Sequence, residues 1–125
     1  MLTIDKFEEA SEDCKKSNPG YKIDFSDYFR PDVQGNKVYF KPENMQRTGA
    51  YKLRGAYYKI STLNRRRESK RSDHRSAGNH AQGVAYAAKA YGAKAVIVMP
   101  TTTPLIKVER TKSYGAEVVS VRRCI

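Results

Sequence analysis

Residues 76–121 read SAGNHAQGVAYAAKAYGAKAVIVMPTTTPLIKVERTKSYGAEVVSV, and this stretch decides the fold class. From Asn79 to Tyr91, the small residues Ala81, Ala85 and Ala88 predict a helix that packs closely on a neighbour. Ala95-Val96-Ile97-Val98-Met99 follows as a nearly continuous apolar run, the pattern of a strand buried on both faces. Thr103-Pro104 can start a second helix running to about Tyr114, because proline suits the first helical turn, and Ala116 to Val121 reads as a further strand. Helix, strand, helix and strand in this order predict an α/β fold, a three-layer parallel sheet with flanking helices.

Toward the amino terminus, Tyr51 to Leu63 places Leu53, Ala56, Tyr57, Ile60 and Leu63 on one helical face. Thr3 to Lys16 spaces Ile4, Phe7, Ala10 and Cys14 in the same way, with Thr3 and Asp5 as cap residues, and predicts a surface helix with one buried stripe. Ser17-Asn18-Pro19-Gly20 reads as a turn, Arg30-Pro31-Asp32 with Gly35-Asn36 as a loop, and Lys37 to Phe40 as a short strand. The block from Asn64 to Arg75 breaks the pattern with Arg65, Arg66, Arg67, Lys70, Arg71 and Arg75. An α/β unit needs a strand before Ser76, but burying unpaired charged groups costs several kcal/mol. Ser72-Asp73-His74-Arg75 is therefore expected not to form that strand, leaving the turn behind it without support.

The 125 residues suffice for one domain, and the net charge is +11. The 64–75 block, with Arg122 and Arg123, supplies more than half of that excess. Such charge suits a nucleic-acid partner, but no aromatic residues interleave the basic run and no zinc-finger, helix-turn-helix or RRM signature accompanies it. No apolar run approaches membrane-spanning length and Met1 to Asp5 has no leader character, so a cytoplasmic location is expected. Cys14 and Cys124 lie far apart without metal-type spacing and read as free thiols.

Two constellations carry chemistry. Residues 41–56, KPENMQRTGAYKLRGA, place Lys52 in the first turn of a helix just after a glycine-containing loop. A nucleophilic lysine must spend time unprotonated, which the positive end of a helix and a desolvated pocket both favour. Residues 76–83, SAGNHAQG, form a small-residue turn opening onto a helix, whose free N–H groups can bind an anion such as an amino-acid carboxylate. Singly, each has an ordinary explanation: Lys52 a solvated charge, Asn79 a cap, His80 a satisfied histidine.

In this order the two resemble the threonine dehydratase and serine racemase-like branch of the fold-type II pyridoxal phosphate (PLP) enzymes. The resemblance covers about residues 37–63 and 76–119, including YGAKAVIVMP at 91–100, Lys107, Thr111 and Gly115 to Val119. It implies that Lys52 is catalytic and carries PLP, that Tyr51 lines the cofactor site, and that Asn79 meets the hydroxyl of the pyridine ring. Ser76, Ala77, Gly78, Asn79 and His80 would hold the substrate carboxylate. Leu53 and Gly55-Ala56 favour this branch over cysteine synthase and threonine synthase.

The implied reaction is β-elimination of threonine or serine to a 2-oxo acid and ammonia, with an amino-acid racemase as the same-family alternative. The resemblance also implies a homo-oligomer with no nucleic-acid or membrane partner. Residues 1–40 would be a lead-in belonging to the large domain and residues 41–125 part of the small one. Family members are far longer, so the glycine-rich phosphate loop and the partner of the pyridine nitrogen are expected beyond residue 125, and the chain is expected to be a truncated, inactive fragment. Basic stretches interrupt the family-like register. Codons for Ser72 to Arg75 read one base later can encode Ala-Ile-Ile-Ala, and residues 17–25 and 122–125 behave alike, as compensated frame shifts would leave them.

Overall fold

The computed structural model describes residues 3–18, 20–26, 36–66 and 71–122. Pro19 of the expected turn, the loop around Arg30 to Gly35, Arg67 to Lys70 of the basic block, and Cys124 lie outside the described residues.

Helix α1 (Ile4–Ser17) starts after Thr3, which is extended at φ −120° and ψ 164° but makes no side-chain capping bond. Asp5 in the first turn and Lys15 and Lys16 in the last oppose the partial charges of the helix ends. The expected apolar stripe is corrected. Cys14 is buried with Asp13 and Ser17, whereas Ile4 is 74% and Phe7 63% exposed. The cause is where α1 meets helix α2 (Lys52–Arg66). Tyr58 donates to Glu9, Ser61 Oγ to Asp13 Oδ2 and Cys14 Sγ to the Arg54 carbonyl, so contact begins about midway along α1. Phe7→Ser is accordingly expected to change stability by no more than about 0.5 kcal/mol, whereas Ser61→Ala, which strips a bond from buried Asp13, costs roughly 1–3 kcal/mol. Denaturant unfolding of the two variants checks this.

The rest of the core follows the sequence pattern, save that Leu63 at the far end of the α2 face is only half-buried. Helix α2 buries Leu53, Ala56, Tyr57 and Ile60, and packs on helix α3 (Asn79–Ala90), which buries Ala81, Val84, Ala85 and Ala88. Beyond α3 lies a parallel sheet of strands β3 (Arg71–Arg75), β4 (Lys94–Pro100) and β5 (Glu117–Val121), in the order β3-β4-β5. Helix α4 (Leu105–Ser113) joins β4 to β5 and follows Pro104, as expected. Ala95, Ile97 and Met99 of β4 belong to the same core cluster as α2 and α3, and Val96, on the alternate side, is also buried.

Strand β3 corrects the expectation that charged residues could not precede Ser76. It lies at the edge of the sheet, where only one side of a strand must pair and side chains can reach water. Asp73 pairs with Val96 and Arg75 with Val98 in register, and both charged residues are exposed, so the burial cost is not incurred. A second feature went unread. Strand β1 (Asp24–Phe25) pairs antiparallel with β2 (Tyr39–Phe40), and the Ser26 N–H extends the ladder to the Val38 carbonyl at 3.0 Å. The Phe25 and Tyr39 rings meet across it at 5.3 Å. No helix among the described residues is long and apolar enough to cross a membrane.

Candidate active site

The approach to Lys52 is set by a tight turn. Gly49 adopts φ +70°, a conformation that side chains disfavour, and its N–H donates to the Gln46 carbonyl at 2.7 Å. Ala50 is then buried, and α2 begins at Lys52. Lys52 Nζ lies 4.9 Å from the centre of the Tyr51 ring, within cation–π range. The expected desolvation is corrected: Lys52 is exposed and Tyr51 is 58% exposed. Both line an open cleft of about 350 Å³ with Arg54, Gly55, Ala56 and His80.

The opposite wall comes from α3. Gly78 occupies the cap position and, having no side chain to accept hydrogen bonds, supplies no side-chain cap to the first turn of α3. The turn does have support, contrary to expectation, because the Ser76 N–H donates to the Val98 carbonyl of β4 at 3.1 Å. Ser76, Ala77 and Gly78 are half-buried and Asn79 is exposed. The fold thus brings Tyr51, Lys52 and His80 to one cleft, while Ser76, Ala77, Gly78 and Asn79 stand in the turn just before His80 and are not among its lining residues.

Between cleft and loop lies an ion pair that pattern reading missed. Arg54 Nη2 sits 2.8 Å from Glu43 Oε1, Arg54 Nε donates to both carboxylate oxygens at 3.0 and 3.1 Å, and Nη2 also donates to the Tyr21 hydroxyl at 2.6 Å. This bidentate clamp ties the loop preceding Lys52 to the first turn of α2. Both partners lie inside the 41–56 motif, but at a separation of eleven residues no helical or strand period links them.

The hydrogen bond from Arg54 holds the Glu43 carboxyl below the usual glutamate range, outweighing the upward effect of partial burial. A carboxyl lowered in the folded state stabilises it fully above the unfolded value of about 4.3, and that contribution is lost as pH falls through the folded value. Glu43→Gln should therefore lower the melting midpoint at neutral pH, and the gap to wild type should close as the pH drops below about 4.3. Thermal melts across an acid series measure it, and a gap that does not vary with pH would contradict the clamp.

Comparison with known proteins adds three findings. Residues 25–124 match the sequence pattern of the family described as pyridoxal-phosphate dependent enzyme. An L-threonine ammonia-lyase of Thermotoga maritima is 40% identical over 119 residues, 95% of this chain and 29% of that protein, and a catabolic L-threonine dehydratase of Staphylococcus aureus is 42% identical over 95% of this chain and 34% of its own length. The structure of maize serine racemase superposes with a TM-score of 0.88 at 36% identity, over 99% of this chain and 37% of that one. The chain spans about a third of the length of the curated relatives it matches.

Proposed function

The chain belongs to the family of pyridoxal-phosphate dependent enzymes, and on that premise we propose that the protein removes ammonia from L-threonine or L-serine by PLP-dependent β-elimination. The residues present fit the cofactor: a primary amine beside an aromatic ring in an open cleft, with the small-residue turn that carries Asn79 leading directly into His80 of the same cleft. PLP, when bound, supplies an electron sink for negative charge at the substrate Cα.

The chain's own residues supply the rest. Lys52 would hold the cofactor through Nζ, and the same amine would take the Cα proton as general base. Tyr51 lines the cofactor site beside it. The turn Ser76, Ala77, Gly78, Asn79 and His80 would orient the substrate carboxylate through backbone N–H groups other than that of Ser76, which the Val98 carbonyl holds, and the Asn79 side chain would face the cofactor's ring hydroxyl. Loss of the β-hydroxyl as water leaves an enamine, whose hydrolysis returns that water and gives ammonia with 2-oxobutanoate from threonine, or pyruvate from serine.

What supports this reading most is the convergence of Lys52 and His80, from the starts of two different helices, on one cleft. The likeness to maize serine racemase favours one second reading, return of the proton to the opposite face of Cα without elimination. Full-length protein loaded with PLP and offered L-threonine and L-serine separates the two. Release of ammonia with the matching 2-oxo acid supports the lyase. Accumulation of the D-amino acid without ammonia supports the racemase, and neither product from either substrate would refute the proposal.

A further inference from the structure

Helices α2 and α3 pack together, and Gly83 faces the backbone of Lys52 and Leu53 across that contact. A Cβ placed on Gly83 would stand 3.2 Å from Leu53 Cα, 3.2 Å from Leu53 N and 3.2 Å from Lys52 C, tighter than most real Cβ contacts. All three neighbours are main-chain atoms, so no side-chain rotation relieves the crowding and the first turn of α2 itself must move. Gly55 and Gly78, by contrast, have nothing within 4 Å of the corresponding position. Gly83 is buried and its φ is not in the left-handed region, so conformational freedom does not account for a glycine in the middle of α3. It lies one turn beyond Asn79 and His80, so the same helix that carries the anion-facing turn abuts the main chain of Lys52.

We propose that Gly83 is a positioning residue: its missing side chain sets the distance between the Lys52 amine and the Ser76–His80 turn. The proposal rests on Lys52 being the residue that carries PLP. A displacement of a few tenths of an ångström is small for a helix pair but large for a lysine that must reach both cofactor and substrate Cα.

Two measurements on the full-length protein test it. In the unaltered protein, NMR should show a strong contact between a Gly83 Hα and the Leu53 Hα, and its absence would overturn the proposal outright. Gly83→Ala should then weaken PLP binding, read from the absorbance of the lysine-bound cofactor, by about tenfold or more and shift the pH midpoint of that band. Its melt should stay cooperative, with the midpoint lowered by no more than a few degrees, since alanine is the better helix former and offsets part of the crowding. A wild-type protein that binds no PLP at Lys52 would sink the assignment of the lysine. Wild-type binding with Gly83→Ala unchanged in affinity and pH midpoint would sink only the role of Gly83. Loss of the cooperative melt in Gly83→Ala would show that the contact carries the fold rather than the placement of the amine, and would also overturn the proposal.

Discussion

Replacing Lys52 by alanine is expected to lower ammonia release from threonine by roughly 10⁴-fold in the full-length protein, because in the proposed mechanism one side chain serves as both cofactor anchor and general base. The loss should be purely chemical. Lys52 is exposed and its side chain lies over the neighbouring Tyr51 ring, so the substitution should leave stability within about 0.5 kcal/mol of wild type. Lys52→Arg should fail equally, since a guanidinium stays protonated and cannot accept the Cα proton. Turnover that survives in both variants, with the fold intact, would remove Lys52 from the mechanism.

The largest effect on stability is expected one residue further on. Leu53 is 0% exposed and belongs to the cluster that joins α2, α3 and β4. Truncating a leucine in such a site removes its transfer energy and leaves a cavity that close-packed neighbours cannot fill, a cost of about 2–5 kcal/mol. Leu53→Ala should therefore lower the melting midpoint by roughly 10 °C or more, at a few degrees per kcal/mol for a chain of this size. Leu105→Ala removes the same atoms from a residue that is 72% exposed and should leave the midpoint nearly unchanged. Equal melts for the two variants would contradict the core as described.

The elements that proved legible in the sequence are those whose burial repeats with a period. Leu53, Ala56, Tyr57 and Ile60 mark one face of α2, Ala81, Ala85 and Ala88 mark α3, and residues 95–99 mark the central strand; all are buried except Val98, which is half-buried. The errors share a different origin. A strand at a sheet edge can be built from Asp73 and Arg75 because water solvates what a central strand would have to bury, so hydropathy gives no sign of β3. Strand β1 has two residues, too few to show an alternation. In α1 the spacing of Ile4, Phe7, Ala10 and Cys14 was correct for a helix, yet spacing carries no information on where the partner helix begins to touch.

The site divides along the same line. Lys52, Tyr51 and His80 could be singled out from motif residues, and the fold gathers them in one cleft. The Arg54–Glu43 clamp and the Gly83 contact could not, because each depends on a distance between segments that only folding fixes.

The most direct test of the central claim is the chemical identity of the residue that carries PLP. Full-length protein incubated with PLP, reduced with borohydride and digested should yield one dominant pyridoxyl-modified peptide, modified at Lys52 and absent from Lys52→Ala. Modification centred on a different lysine, or spread evenly over the chain's lysines, would contradict the account.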